Sequence, residues 1–162
     1  MNFTKLGTRE LQYEAQELNA RHASLIDDDD LEDWPSLFTE NCLYKVISQE
    51  NQARALPVAA IFCTSRGMLT DRVVSLRKAN IYPAHGYRHI LSTTRISAAE
   101  ADVIHARTNY VVLRTRENGE TTLYNAGQYI DEIVFADGAL RFRSKIVVFD
   151  TSRVDTLMVR PI

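Results

Sequence analysis

Cysteine is scarce in this chain: Cys42 and Cys63 are the only two in 162 residues. Two are too few for a disulfide scaffold, and they read as buried thiols. No His follows Cys42 by two residues or Cys63 by three, so the paired motifs of a Rieske cluster are missing. A structural zinc site fails for the same reason. The six glycines are scattered and form no phosphate loop, and there is no Gly-x-Ser-x-Gly nucleophile turn. Nor is there an excess of basic charge. Nineteen Lys and Arg stand against twenty-one Asp and Glu, a net charge of -2 that leaves nucleic-acid binding without an electrostatic footprint. The longest unbroken apolar run, Val58 to Cys63, is far too short to span a bilayer. Met1 to Leu6 has no apolar signal core. A soluble, cytoplasmic protein is expected.

Apolar residues make up 45% and charged residues 25%, a composition that builds a core and excludes bulk disorder. The length suits one domain, 1–162, able to bury roughly 70% of its unfolded surface. It divides into a helical front (1–40), a mixed part (41–84), a strand-rich part (85–150) and a tail (151–162). Leu11, Ala15, Leu18, His22 and Leu25 step by three and four, one stripe of an amphipathic helix. Leu31, Trp34, Leu37 and Phe38 mark a short second helix around Pro35. Leu43 to Ser48 alternates as a strand, and Val58 to Thr64 is a second apolar run. Ser65 caps a helix carrying Met68, Leu69, Arg72, Val73 and Leu76, which Asn80 and Pro83 close. Strands follow over Arg88–Ile96, Asp102–Arg116 and Thr121–Phe135. A last strand holds Leu140, Phe142, Ile146 and Val148 on one face and Arg141, Arg143 and Lys145 on the other. Asn118-Gly119 and Asp137-Gly138 supply positive-φ residues for tight hairpins, so these strands are antiparallel. Gly127 inside a strand signals a bend or bulge. Helices first and antiparallel strands after them make an α+β fold, a curled sheet covered by about three helices around a cone-shaped interior.

Three clusters invite a chemical reading. Asp27 to Asp30 resembles a calcium loop, but no Gly and closing Glu follow at the required spacing, and capping or solvated carboxylates explain the run. His85 and His89 flank Gly86 without the Glu of a zinc-protease helix, and no spacing places a carboxylate beside them for iron. An acid–base dyad is the third reading. His89, His105, Tyr110, Tyr129 and Asp131 lie on expected strands where alternate residues face inward, and an apolar cavity would tune such a pair. The competing reading is that these groups bond to backbone, to each other or to a partner chain.

A family resemblance is carried by residues in order along the chain: Leu25-Ile26-Asp27, Trp34, Leu37-Phe38, Tyr44, Asp71-Arg72-Val73 and Leu76-Arg77. Tyr87-Arg88-His89-Ile90-Leu91-Ser92, Val112-Leu113-Arg114-Thr115-Arg116, Ala126-Gly127-Gln128-Tyr129-Ile130-Asp131, Val148-Phe149-Asp150 and Asp155-Thr156-Leu157 complete it. The chain resembles the small (beta) subunit of aromatic-ring-hydroxylating dioxygenases. Asn80-Ile81-Tyr82 and Asp155-Thr156-Leu157-Met158 make it most similar to the branch acting on anthranilate, salicylate or terephthalate. The resemblance implies a cone-shaped, nuclear-transport-factor-2-like fold. It also implies a large (alpha) partner carrying a Rieske [2Fe–2S] centre and a mononuclear iron, assembled three-plus-three. A reductase, with or without a ferredoxin, would bring electrons from NADH. This chain would then hold no catalytic residue, cofactor or metal. The rival readings are a stand-alone isomerase or dehydratase using His89 or His105 with Asp131, and a small-ligand binding module.

Seven arginines crowd the middle of the chain: Arg72, Arg77, Arg88, Arg95, Arg107, Arg114 and Arg116. Arginine is favoured at interfaces because its planar fork pairs with carboxylates and stacks on rings. Arg72, within an apolar stripe, and Tyr87 with Arg88, at a strand start, are the candidate subunit contacts.

Overall fold

The computed structural model describes residues 7–79, 84–100, 102–150 and 158–162. Asn80 to Pro83, expected to close the third helix, and Asp155-Thr156-Leu157 lie outside them. The first helix, α1 (Thr8–Asp27), buries Leu11, Ala15, Leu18, His22 and Ile26 along one stripe, with Asn19 beside them. A 3-10 turn at Trp34–Leu37, opened by Pro35, leads into β1 (Phe38–Ser48). There follow α2 (Gln49–Ala53), β2 (Ile61–Cys63) and α3 (Arg66–Lys78). The Ser65 hydroxyl caps α3 by accepting from the Met68 N–H at 3.2 Å, and Leu69, Val73 and Leu76 face inward. The remaining strands are β3 (His85–Leu91), β4 (Arg95–Ala99), β5 (Ile104–Arg116), β6 (Thr121–Ala136) and β7 (Ala139–Phe149).

These seven strands form one sheet in the order β2-β1-β7-β6-β5-β3, with β4 also paired to β5. The sheet is mixed rather than wholly antiparallel, because β1 runs parallel to β7 from Leu43↔Ser144 to Ser48↔Phe149. No hairpin joins those two strands, so turn chemistry does not fix their direction. The strand expected over Arg88–Ile96 is divided into β3 and β4. Between them Ser92 exchanges two bonds with Asn109, and Thr94 turns fully inward to meet the Thr108 hydroxyl at 2.8 Å. The Asp137-Gly138 turn has positive φ at both residues, as a tight hairpin requires, whereas at Asn118-Gly119 only Gly119 does.

Curvature comes from bulges and from Gly127. A Cβ there would strike the Val148 carbonyl of the neighbouring strand, so β6 and β7 approach too closely for any side chain. The bulge in β7 has the larger consequence. Ile133 pairs with Phe142 and Glu132 with Ser144, which leaves Arg143 as an extra residue. One extra residue inverts the alternation beyond it. Phe142 points inward, but so do Lys145, Val147 and Phe149, and the expected placement of Lys145 on the face opposite Phe142, with Arg141 and Arg143, is overturned.

The curled sheet wraps α1, which touches both β3 and β7. Trp34 is fully buried, with its ring 5.4 Å from Phe38 and 5.1 Å from Tyr44 and its N–H donating to His22 Nδ1 at 3.0 Å. Trp34→Ala should therefore cost about 3–5 kcal/mol of stability. Denaturant titration checks this, and a midpoint equal to that of the unmodified chain would refute the anchoring role.

Candidate functional site

The interior of the curled sheet is the place where polar groups converge. At its floor His22 lies among Trp34, Phe38, Tyr44, Tyr129 and Phe142, with ring centroids 5.7–6.5 Å away. The Trp34 bond makes Nδ1 an acceptor, so a neutral ring carries its proton on Nε2. Burial holds the His22 pKa well below the ordinary 6.5, and the nearby Lys145 and His89 act the same way, outweighing a weak opposing influence of the Ile162 backbone.

Beside this ring three side chains close a triangle. Lys145 Nζ donates to Asn19 Oδ1 at 2.6 Å and to Asp131 Oδ1 at 3.1 Å. Asn19 Nδ2 donates to Asp131 Oδ2 at 2.9 Å. The ammonium also sits 3.7 Å from the Tyr129 ring centre and 4.4 Å from that of Phe142. Both side chains of the ion pair are wholly buried. Desolvation lowers Lys145 to about 8 and raises Asp131, while each partner's charge works against the other's shift.

A second buried pair lies at the end of α1. His89 uses both oxygens of Asp27, its backbone N–H donating at 2.8 Å and its Nδ1 lying 2.6 Å from the other oxygen. A carboxylate-oriented imidazole is the geometry of a general base. Here the His89 side chain has no exposure, its Nε2 has no hydrogen-bond partner among the described residues, and Asp27 and His89 border an open cleft between α1 and the Leu91–Thr94 segment.

The three dyad candidates are thus not brought together. His89 pairs with Asp27, Asp131 pairs with Lys145 and Asn19, and half-exposed His105 lies 3.9 Å from Glu100. Sequence spacing missed Asp27 because it lies 62 residues from His89. It missed Lys145 because the bulge is invisible in the alternation. Asn19 did carry a signal, since it stands four residues after Ala15 on the buried stripe. Tyr110 and Tyr129 stack at 4.5 Å, and Tyr110 donates to Asn125 at 2.6 Å. Of the subunit-contact candidates, Arg72 donates within the chain to the Met158 carbonyl at 2.9 Å. Tyr87 is buried and stacked 5.2 Å from Tyr124, while Arg88 is exposed.

The aspartate run does not cap a following helix. It lies at the C-terminal end of α1, where the helix dipole disfavours negative charge, and specific cations offset it. Asp29, at positive φ, accepts from Arg77 at 2.8 Å and Arg160 at 3.0 Å. Arg77 also holds Glu32 down to about 2. Among the described residues no group of three His, Cys, Asp or Glu converges as a metal ion would need. Burial pushes the Cys42 thiol up to about 11 and raises Cys63 too, leaving both poor ligands and nucleophiles.

The His22 environment has a measurable consequence. Below pH 6.5 the unfolded chain takes up a proton that the folded chain refuses, so this group removes stability as the pH falls toward its folded value. The expected slope is about 1.4 kcal/mol per pH unit for one proton. His22→Gln, which keeps an acceptor for Trp34, should lose that component in melts between neutral and mildly acidic pH. Parallel pH profiles for the two proteins would contradict it.

Comparison with known proteins places this architecture. The sequence model of a family described as "Ring hydroxylating beta subunit" matches residues 21–156. The chain is 47% identical over 150 residues to the anthranilate 1,2-dioxygenase small subunit of Burkholderia cepacia, covering 93% of each protein. It is 41% identical over 144 residues to terephthalate 1,2-dioxygenase terminal oxygenase component subunit beta 1 of a Comamonas species, covering 89% of this chain and 94% of that one. A crystal structure from Novosphingobium aromaticivorans, assigned to the beta subunits of aromatic-ring-hydroxylating dioxygenases, superposes with a TM-score of 0.87 at 42% identity, covering 95% of this chain and 98% of that chain. The fold is the cone-shaped, nuclear-transport-factor-2-like one, and the chain belongs to the family of ring-hydroxylating dioxygenase beta subunits.

Proposed function

We propose that the chain is the small, structural subunit of a multicomponent oxygenase that hydroxylates an aromatic acid with dioxygen and NADH-derived electrons in the cytoplasm. The observation that carries this reading is the 47% and 41% identity, over nearly the full chain, to small subunits of anthranilate and terephthalate dioxygenases. The interior supports it. Its polar groups are engaged with one another or sealed from solvent, and the donor set among the described residues does not fit a metal.

The redox chemistry then belongs to a large subunit carrying a Rieske [2Fe–2S] centre and a mononuclear iron, served by a reductase with or without a ferredoxin. Three copies of each subunit form the proposed assembly. The small subunit's contribution is a rigid surface, which its mixed sheet and buried charge pair maintain. Arg88 is the interface cation proposed from the exposed edge of β3, since its guanidinium makes no hydrogen bond or ion pair among the described residues. Arg72 and Tyr87 support that surface from within, through the Met158 carbonyl and the Tyr124 ring.

Co-expression with the large partner should yield a complex of three-plus-three mass by sedimentation. Arg88→Glu should weaken it, shifting dissociation by about 2–5 kcal/mol if the arginine meets a buried carboxylate. A small chain that never sediments with the large partner would overturn the function. Wild-type dissociation for Arg88→Glu would overturn only the placement of the interface.

A further inference from the structure

The face of the sheet turned away from α1 carries an ordered row of side chains. On β5 the buried residues Ala106 and Thr108 alternate with Arg107 and Asn109, which point outward. Register sets Arg107 directly opposite Arg95 on β4 and opposite Ile130 on β6, and it sets Ile130 opposite Ile146 on β7. Four strands abreast thus present two exposed arginines and then two half-buried isoleucines. At the ~4.8 Å spacing of neighbouring strands, the row is about 14 Å long.

The row lies in a groove. Two depressions of about 320 Å³ and 360 Å³ meet at Ser97 and Arg107. Arg95, Asn109 and Gln128 line the first, and Ile130 and Ile146 line the second. Like charges directly opposite each other in an antiparallel pair repel. Elsewhere Arg54, Arg66, Arg77, Arg116 and Arg143 each meet a carboxylate within 3.1 Å. Here the Arg95 guanidinium makes no hydrogen bond or ion pair among the described residues, and Arg107 makes only a bond of 3.4 Å to Gln128 Oε1. That amide is itself oriented, since Gln128 Nε2 donates to Asn109 Oδ1 at 3.1 Å. The acids bordering the groove are turned elsewhere. Glu132 accepts from Arg143 at 3.1 Å, Glu100 lies 3.9 Å from His105, and Asp131 meets Lys145 on the inner face.

We propose that this groove is a binding site for a small organic monoanion, a carboxylate carried on an apolar body. The carboxylate sits between Arg95 and Arg107 and accepts paired bonds from a guanidinium fork. The body covers Ile130 and Ile146, removing their apolar surface from water. Both halves of the row enter the assignment. An inorganic anion leaves the isoleucines wet, and a neutral apolar molecule leaves two like charges facing each other. The inference stands apart from the oxygenase reading, since it concerns only groups that this chain places on its own sheet.

Benzoate tests it, titrated into the isotope-labelled full chain while amide shifts are followed. Shifts at Arg95, Arg107, Ile130 and Ile146 should saturate together, half-complete at about a millimolar or below. Benzamide, which lacks the charge, and acetate, which lacks the apolar body, should each bind about tenfold more weakly or worse. Arg107→Gln, which keeps a donor and loses the charge, should weaken benzoate by a similar factor. If that variant does not fold, Arg95→Gln serves the same comparison. Shifts that never saturate, saturation confined to residues outside the groove, acetate binding as tightly as benzoate, or unchanged benzoate affinity in the folded variant would each overturn the proposal.

Discussion

The Asn19–Asp131–Lys145 triangle is the constraint on which the rest of the interior depends. It joins α1 to β6 and β7 at the centre of the cone, with no water-exposed atom in the ion pair. An ion pair so deep is costly to desolvate, and it is tolerated because nearly every donor and acceptor in it is used. Its geometry follows from register. Asp131 faces inward with Tyr129 and Ile133 by the regular alternation of β6, and the bulge at Arg143 brings its cross-strand neighbour Lys145 to the same face. The register of β7 against β1 shifts at the same place, between Phe38↔Phe142 and Leu43↔Ser144.

Around the triangle, the groups that could have been catalytic serve as structure. His22 is held neutral and accepts from Trp34, which ties α1 to the 3-10 turn. His89 and Asp27 bind the end of α1 to β3. Asp29 gathers Arg77 and Arg160, clamping α3 and residues 158–162 to the same helix end. Much of the polar capacity of the cone is thus spent on joining its own elements, in a chain of the ring-hydroxylating beta-subunit family.

Local periodicity and turn chemistry made much of this legible beforehand. The α1 stripe, the Ser65 cap, the buried Trp34 and the Asp137-Gly138 turn all rest on neighbours within a few residues, where spacing carries the signal. Long-range pairing was not legible. Nothing local shows that β1 lies parallel to β7, that Asp27 meets His89, or that Asp29 faces two arginines. The largest miss, Lys145 grouped with Arg141 and Arg143 on the face opposite Phe142, came from applying strict alternation through a bulge. The family resemblance supplied the fold and the class of partner, which no single motif in this chain encodes.

The central claim is that the interior charges are structural, and a double-mutant cycle on Asp131 and Lys145 tests it most directly. Asp131→Asn and Lys145→Met should each cost about 3–5 kcal/mol of unfolding free energy, because each leaves a buried charge without its partner. The double variant should cost clearly less than the sum, a coupling of up to about 3 kcal/mol. Two single changes each worth under about 1 kcal/mol and strictly additive, as for an exposed pair, would contradict the account.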